Sequence, residues 1–213
     1  MSQNESFEIA GPAGRLEAIL MTPDGPPVAA GVVCHAHPLR GGVMHFKVVF
    51  RAAKALQQSG VAVLRFNFRG VGRSEGTHDE GGGEQDDVRA ALAEMQRRFP
   101  GLPLVLGGFS FGATMALRVG CADGARALFA LGLPLLMMTD PAFLERCRPP
   151  RLFVQGEHDQ FGGAEAIREL VARLPEPRTL VIIPGADHFF GDHLDELHEA
   201  VASWAAQRPW AAA

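Results

Sequence analysis

The sequence predicts one α/β domain over residues 1–213, with about eight mostly parallel strands in a single sheet and helices on both faces. Three observations support this prediction. A chain of 213 residues suits one domain. Strand-like apolar runs alternate with segments of helical periodicity, as in βαβ units. No internal repeat or low-complexity linker divides the chain, whose content of 47% hydrophobic and 21% charged residues is ordinary for a globular protein.

The first elements are a hairpin, a buried strand and a helix. Strands are predicted at 7–10 and 16–21, because a Gly-Pro-Ala-Gly turn separates two short apolar runs. The continuous apolar run at 28–34 is typical of a strand buried on both faces. Helical spacing of apolar residues over 46–59 predicts the first helix, and Gly60 stands where a helix-terminating glycine belongs.

The remaining elements continue the alternation. The helix predicted at 86–99 has an acidic first turn and a basic last turn, as the helix dipole favours. In a sheet of this kind, ligands bind at the carboxyl ends of the strands. The residues that follow each strand are therefore the candidates for function. The other predicted strands are 61–66, 104–106, 127–131, 151–155 and 180–183, and the other helices are 111–119, 164–173 and 192–207.

Composition excludes several classes of partner. A net charge of −4 without a basic stripe argues against a nucleic-acid partner. No apolar run is long enough to cross a membrane, so no membrane partner is expected. The three cysteines, Cys34, Cys121 and Cys147, are odd in number and widely spaced, so neither a disulfide nor a zinc site is expected. With a polar N-terminus, this predicts a reducing, cytoplasmic location.

The segment Gly-Phe-Ser-Phe-Gly at 108–112 lies where a predicted strand turns into a predicted helix. In a G-x-S-x-G elbow the serine backbone is strained, and the two glycines let strand and helix approach closely. The serine Oγ is then raised clear of the sheet, above a helix N-terminus. The context predicts that Ser110 is a catalytic nucleophile.

A serine hydroxyl needs a base to take its proton and an acid to orient that base. His188 follows the last predicted strand, and Asp159 follows the strand before it. The order Ser110, Asp159, His188 is that of nucleophile, acid and base in α/β-hydrolases. The sequence therefore predicts a Ser-His-Asp triad made of these three residues.

The chain offers rivals for two of these roles. His193 and His198 lie near the predicted base, but both fall on a predicted helix surface. Glu157 is close to the predicted acid and is interpreted as a turn residue, while Asp140 follows the preceding strand and could reach the same histidine.

An oxyanion hole needs two backbone N–H groups. One is predicted to come from Phe111, directly after the nucleophile. The other should come from the loop at 35–42, where Pro38 has no N–H, so His37 and Leu39 both remain candidates.

The same loop contains a His-x-His pattern, formed by His35 and His37. Such a pattern occurs in metal sites, but no carboxylate or cysteine pattern completes one here. No metal is expected, and a hydrogen-bonding role that shapes the loop is the preferred interpretation.

The motifs together resemble the compact bacterial α/β-hydrolases of the dienelactone hydrolase-like group, in particular their serine carboxylesterase-like members. The resemblance rests on His-Ala-His-Pro-Leu-Arg-Gly-Gly at 35–42, on 65–74, on 83–87 and on the three triad segments. It implies an eight-stranded α/β-hydrolase fold and ester hydrolysis without a cofactor. Dienelactone hydrolase itself uses a cysteine nucleophile, whereas Ser110 stands at that position here.

The predicted function is therefore a serine hydrolase that cleaves a small-molecule ester. The stretch 133–150 is too short for a large lid, which favours an open site and short or medium acyl groups. Its apolar run at 135–138 is interpreted as core, with the lining of an acyl pocket as the alternative. Thioesterase, amidase, acyltransferase and non-catalytic binding functions are the alternatives. The sequence leaves the oligomeric state open, and a homodimer is compatible with it.

Overall fold

The computed structural model describes residues 3–211, without the side chain of Gln3, as one sheet covered by helices. The strands are β1 (Gln3–Gly11), β2 (Gly14–Thr22), β3 (Ala29–Cys34), β4 (Val61–Phe66), β5 (Leu104–Phe109), β6 (Ala127–Leu131), β7 (Arg151–Gly156) and β8 (Arg178–Ile183). The helices are α1 (Lys47–Gln58), α2 (Gly82–Arg98), α3 (Phe111–Ala122), α4 (Ala164–Arg173) and α5 (Leu194–Ala206). No described helix is both long and apolar enough to traverse a lipid bilayer.

The spatial order of the strands is β1-β2-β4-β3-β5-β6-β7-β8. β1 and β2 pair antiparallel, as do β2 and β4, and every pairing from β4 to β8 is parallel. The predicted α/β fold, with its leading hairpin and mostly parallel eight-stranded sheet, is confirmed. The parallel strands end at one edge of the sheet, so the loops after β3, β5, β6, β7 and β8 converge there.

Each face of the sheet buries its own hydrophobic core. Successive strand residues point to opposite faces, and in β4 Val61 and Val63 join one core while Ala62 and Leu64 join the other. α1 and α5 cover the first face, and α2, α3 and α4 cover the second. The sheet is therefore held rigidly between two layers, which gives the loops at its carboxyl edge a fixed base.

Helix α2 begins four residues earlier than the sequence predicts. Its start is fixed by Glu84, whose carboxylate accepts the backbone N–H of Gly81 at 2.8 Å. Gly83 has no room for a side chain, because a Cβ there would overlap the guanidinium of Arg69. That guanidinium is in turn paired with buried Asp87 at 2.8 Å. The glycine run at 81–83 thus forms the tightly packed start of α2.

Cys121 and Cys147 form a disulfide, and the expectation that the chain has none was wrong. Their Cα atoms are 4.9 Å apart although 26 residues separate them in sequence. The bridge joins the end of α3 to the segment between β6 and β7. After α3 the chain passes through β6, and this segment then runs back beside α3. This proximity arises from the tertiary fold, so cysteine spacing could not reveal it. Cys34 is free and buried.

The segment between β6 and β7 has two short 3-10 turns, Leu135–Met137 and Ala142–Arg146, and no inserted lid domain. The interpretation of its apolar run as core was wrong for two residues, since Leu136 is 77% and Met137 is 54% exposed. The turn after Pro134 directs these side chains away from the sheet. They instead form part of the rim at the carboxyl edge.

Candidate active site

Ser110 occupies the sharp turn between β5 and α3. Its backbone has φ 55° and ψ −119°, a conformation that a residue with a side chain adopts only under strain. A Cβ at Gly108 would lie 2.6 Å from the backbone of Gly112, and one at Gly112 would overlap the carbonyl oxygen of His35. The elbow therefore depends on both glycines, and its packing against the end of β3 holds the serine in place.

His188 lies in the loop after β8, with its ring between the serine and a carboxylate. Its Nε2 is 2.9 Å from the Oγ of Ser110, and its Nδ1 is 2.8 Å from the Oδ2 of Asp159. Because a carboxylate only accepts, Nδ1 donates to it, and Nε2 is then free to accept the serine proton. Gly132 makes room for the ring, since a Cβ there would lie 3.3 Å from it. The structure thus brings all three predicted triad residues together.

Asp159 lies in the loop after β7 and is buried. Its Oδ1 accepts the backbone N–H of Phe161 at 2.8 Å, and its Oδ2 accepts both His188 and the side-chain amide of Gln155, at 2.8 Å each. Three donors on one buried carboxylate fix its orientation.

Gln155 is a residue that the sequence analysis missed. It is fully buried at the end of β7, where its amide also donates to the carbonyl of Gly162 at 2.7 Å and accepts the backbone N–H of Leu133 at 2.9 Å. It thus ties the acid to the loops after β6 and β7. A polar residue at the end of a buried strand, four residues before the predicted acid, is the signal that could have identified it.

The rivals for the triad roles lie outside the site. Glu157 accepts the backbone N–H of Gly185 at 2.9 Å, as expected for a turn residue, and Asp140 accepts that of Ala142 at 3.0 Å. His193 faces Glu196 at 3.3 Å on the same helical turn, and His198 lies on α5.

The two candidates for the second oxyanion donor differ in their surroundings. The backbone N–H of Leu39 donates to the Nδ1 of His37 at 3.2 Å, so it already has a partner within the 3-10 turn Pro38–Arg40. Among the described residues, no hydrogen bond engages the backbone N–H of His37 or that of Phe111, and both residues line the cavity beside Ser110. The geometry therefore favours His37 over Leu39.

His35 has a structural environment that fixes its tautomer. Its Nε2 accepts the backbone N–H of Phe68 at 3.0 Å, which requires its Nδ1 to carry the proton that it shares with the carbonyl of Ala36 at 2.6 Å. Burial lowers the pKa of His35 to about 4, so the ring is neutral at physiological pH. Both ring nitrogens of His35 are thus used to shape the loop.

A histidine–carboxylate pair supports the outer side of this loop. The ring of His37 packs against that of His78 at 4.8 Å between centroids, and the Nδ1 of His78 lies 2.8 Å from buried Glu84. Burial raises the pKa of Glu84, but backbone N–H donors at Asp79 and Gly81 outweigh it, and the pKa is lower than usual. Burial, followed by the charges of His78 and Arg40, lowers the pKa of His37.

A cavity of about 600 Å³ opens over the triad, a volume typical of small-molecule sites. Phe109, Phe161 and Phe189 surround the ring of His188, with centroids 4.7–5.3 Å away. Together with the rest of the site they leave His188 only 2% exposed. Among the described residues, no group of three or more histidine, cysteine or acidic side chains could hold a metal ion. The other apolar side chains that line the cavity are Ala36, Phe111, Met115, Pro134, Met137 and Met138.

Comparison with known proteins agrees with this architecture. A protein of Rickettsia prowazekii, described as uncharacterized, is 38% identical in an alignment of 201 positions that covers 90% of this chain and 84% of that protein. An α/β serine hydrolase homologue from Coxiella burnetii superposes with a TM-score of 0.88 at 36% identity, covering 93% of this chain and 96% of the other. An α/β serine hydrolase without a lid from Xanthomonas campestris superposes with a TM-score of 0.88 at 34% identity. The match covers 99% of this chain and 97% of the other.

The fold, the serine elbow and these relatives define the class of the protein as an α/β serine hydrolase. The sequence profile of the family described as "Alpha/beta hydrolase domain" matches residues 29–207, and the chain belongs to that family. The predicted membership of the compact, lidless bacterial group related to dienelactone hydrolase is confirmed.

Proposed function

We propose that the protein is a serine esterase that cleaves small or medium acyl esters through an acyl-enzyme. The observation that carries the proposal is the hydrogen-bonded chain from Ser110 through His188 to Asp159, with links of 2.9 and 2.8 Å. Each link has the length and the direction that proton transfer from the serine requires.

In the first half-reaction, the Nε2 of His188 takes the proton of Ser110 while Oγ attacks the ester carbonyl. The imidazolium that forms is stabilised by Asp159, whose position is fixed by its other donors. His188 then gives its proton to the leaving alcohol, and an acyl-enzyme remains. In the second half-reaction, the same base activates water, which releases the acid.

The negative charge on the carbonyl oxygen needs donors that are in place before the reaction. We assign this role to the backbone N–H groups of Phe111 and His37. The N-terminus of α3 lies directly after Ser110 and adds a partial positive charge at the same point.

The test is turnover of p-nitrophenyl butyrate together with labelling by a fluorophosphonate probe. Ser110→Ala should abolish both, and His188→Gln should reduce turnover by about a thousandfold or more. Exposed Ser203 on α5 offers a matched control, since Ser203→Ala changes the same residue type away from the cavity. Full activity of Ser110→Ala, or no labelling of the unaltered protein, would contradict the proposal.

We further propose that the ligand is a small-molecule ester and that the protein has no nucleic-acid or membrane partner. We propose a cytoplasmic location. Light scattering would test whether the protein forms a homodimer. The Cys121–Cys147 bridge bears on the location, because disulfides are rare in the reducing cytosol. Alkylation of thiols in intact producing cells, followed by mass spectrometry, would show whether the bridge forms there.

A further inference from the structure

The wall of the cavity above Ser110 carries two arginines, Arg40 in the loop after β3 and Arg118 on α3. Neither has a carboxylate oxygen within 4.0 Å among the described side chains. Several other arginines of this protein are paired with carboxylates. These are Arg15, Arg51, Arg69, Arg73, Arg89, Arg97, Arg98 and Arg178. The two cavity arginines are thus positive charges left without an acidic partner.

Arg118 is held in a defined position although it lacks such a partner. Its guanidinium lies over the ring of Phe143, 4.9 Å from the centroid, and one terminal nitrogen donates to the carbonyl of Asp140 at 3.5 Å. Both contacts come from the segment between β6 and β7, which the disulfide fastens to the end of α3. A guanidinium has five N–H donors, so most of them stay available for a ligand. An arginine that is already oriented loses little entropy when it binds.

The position of Arg118 relative to Ser110 follows from α3, which begins directly after the serine and carries the arginine. A separation of eight residues corresponds to about 12 Å along a helix axis. Thr114 and Met115 lie between them and line the same cavity. Long helical side chains generally lean toward the helix N-terminus, which is the end of α3 that adjoins Ser110. A substrate bound at Ser110 and extended along α3 therefore meets Arg118.

The cavity that holds these two points is lined largely by apolar side chains, among them Phe111, Met115 and Met138. A guanidinium in such surroundings binds a carboxylate strongly and often through two parallel hydrogen bonds. Glu80 is the one acidic side chain among the described lining residues, and it opposes such a ligand.

We infer that the substrate is an ester that carries a carboxylate on its acyl chain or on its alcohol, separated from the scissile carbonyl by an apolar spacer, and that Arg118 binds this carboxylate. The inference rests on the esterase function proposed above and narrows its substrate class. Arg40 adds a second positive charge to the cavity wall.

Two matched pairs of esters test the inference and distinguish the acyl from the alcohol side. The first pair is p-nitrophenyl hexanoate and p-nitrophenyl hydrogen adipate, and the second is the acetates of hexanol and of a hydroxyhexanoic acid. In at least one pair, kcat/KM should be about tenfold higher for the anionic ester, and Arg118→Met should lower that ratio by about tenfold, to near one. Glu80→Gln should raise the ratio.

Arg168→Met is the matched control, because Arg168 is an exposed arginine on α4 that does not line the cavity. This variant should keep the ratio of the unaltered protein. A ratio near one in both pairs overturns the inference and leaves the esterase function standing. Equal effects of Arg118→Met and Arg168→Met also overturn it.

Failure of the esterase function has a different signature, which is the absence of turnover of all four esters. Calorimetric titration of Ser110→Ala with adipate then still tests the anion site. Binding that is lost when Arg118→Met is added supports the site. No binding, or binding that survives the added substitution, contradicts it.

Discussion

The side-chain amide of Gln155 donates to the same Oδ2 of Asp159 that faces His188, at 2.8 Å. The carboxylate therefore cannot rotate without losing a bond to a buried amide, which is itself fixed by the backbone of Leu133 and Gly162. The orientation of the predicted base thus depends on a residue that does not touch the substrate.

Replacing Gln155 should impair catalysis through the position of Asp159. Gln155→Met keeps the size of the side chain but removes its hydrogen bonds, and kcat should fall by about tenfold with little change in KM. Gln155→Glu is the conservative second variant, because a buried carboxyl in contact with Asp159 keeps its proton and can still donate one hydrogen bond to it. It should retain more of kcat than Gln155→Met does. A loss of stability in both variants without change in kcat would argue against a positioning role.

Removing the backbone N–H of residue 37 should slow the reaction. His37 has φ −53° and ψ 124°, which proline can adopt, so His37→Pro removes the N–H without forcing the backbone to change. The loss of one oxyanion donor should lower kcat by about a hundredfold or more. His37→Ala removes the same ring but keeps the N–H and serves as the control. Equal activity of the two variants would contradict His37 as the second oxyanion donor and favour Leu39.

Stability should decrease in mild acid because of His35. Its pKa is about 4 in the folded protein and 6.5 in the reference state, so between these values the unfolded chain binds a proton that the native chain does not. The free energy of unfolding should therefore fall by roughly 2 to 3 kcal/mol as the pH decreases through this window. Urea titrations at a series of pH values measure it. His35→Gln should be less stable at neutral pH and have a shallower pH dependence, and an unchanged slope would exclude His35 as the cause.

The Cys121–Cys147 disulfide should stabilise the protein by restricting its unfolded chain. Closing a loop across a separation of 26 residues is worth roughly 3 kcal/mol in the chain-entropy account. The variant with both cysteines changed to alanine should lose about this amount in urea denaturation. Dithiothreitol should destabilise the unaltered protein and leave the double variant unaffected. A reductant effect of equal size in both proteins would assign it to something other than this bridge.

The triad could be predicted from the sequence because its residues follow from the order of strands and helices along the chain. Ser110, Asp159 and His188 each follow a parallel strand, and parallel strands of one sheet end at the same edge. Their proximity therefore follows once the alternation of strands and helices is recognised. The choice between His37 and Leu39 could not be made from the sequence, because it depends on the direction of single N–H bonds in a tight turn.

The features that the sequence did not reveal depend on contacts between distant segments. Gln155 reads as one polar residue in a strand until the loops around it are in place. Cys121 and Cys147 approach each other only because the chain crosses the sheet and returns to α3. Arg118 resembles any helix surface arginine until the segment between β6 and β7 covers one side of it and leaves it without an acidic partner.

The disulfide also changes what a cut in the chain would do. The exposed rim residues Leu136 and Met137 lie inside the loop that Cys121 and Cys147 close. Exposed turns of this kind are preferred sites of proteolytic nicking. A protease that cleaves there would leave two fragments still covalently joined, which separate on a gel only after reduction. The rim of the cavity could thus be opened by a single cut and its effect on turnover measured in a molecule that remains one piece.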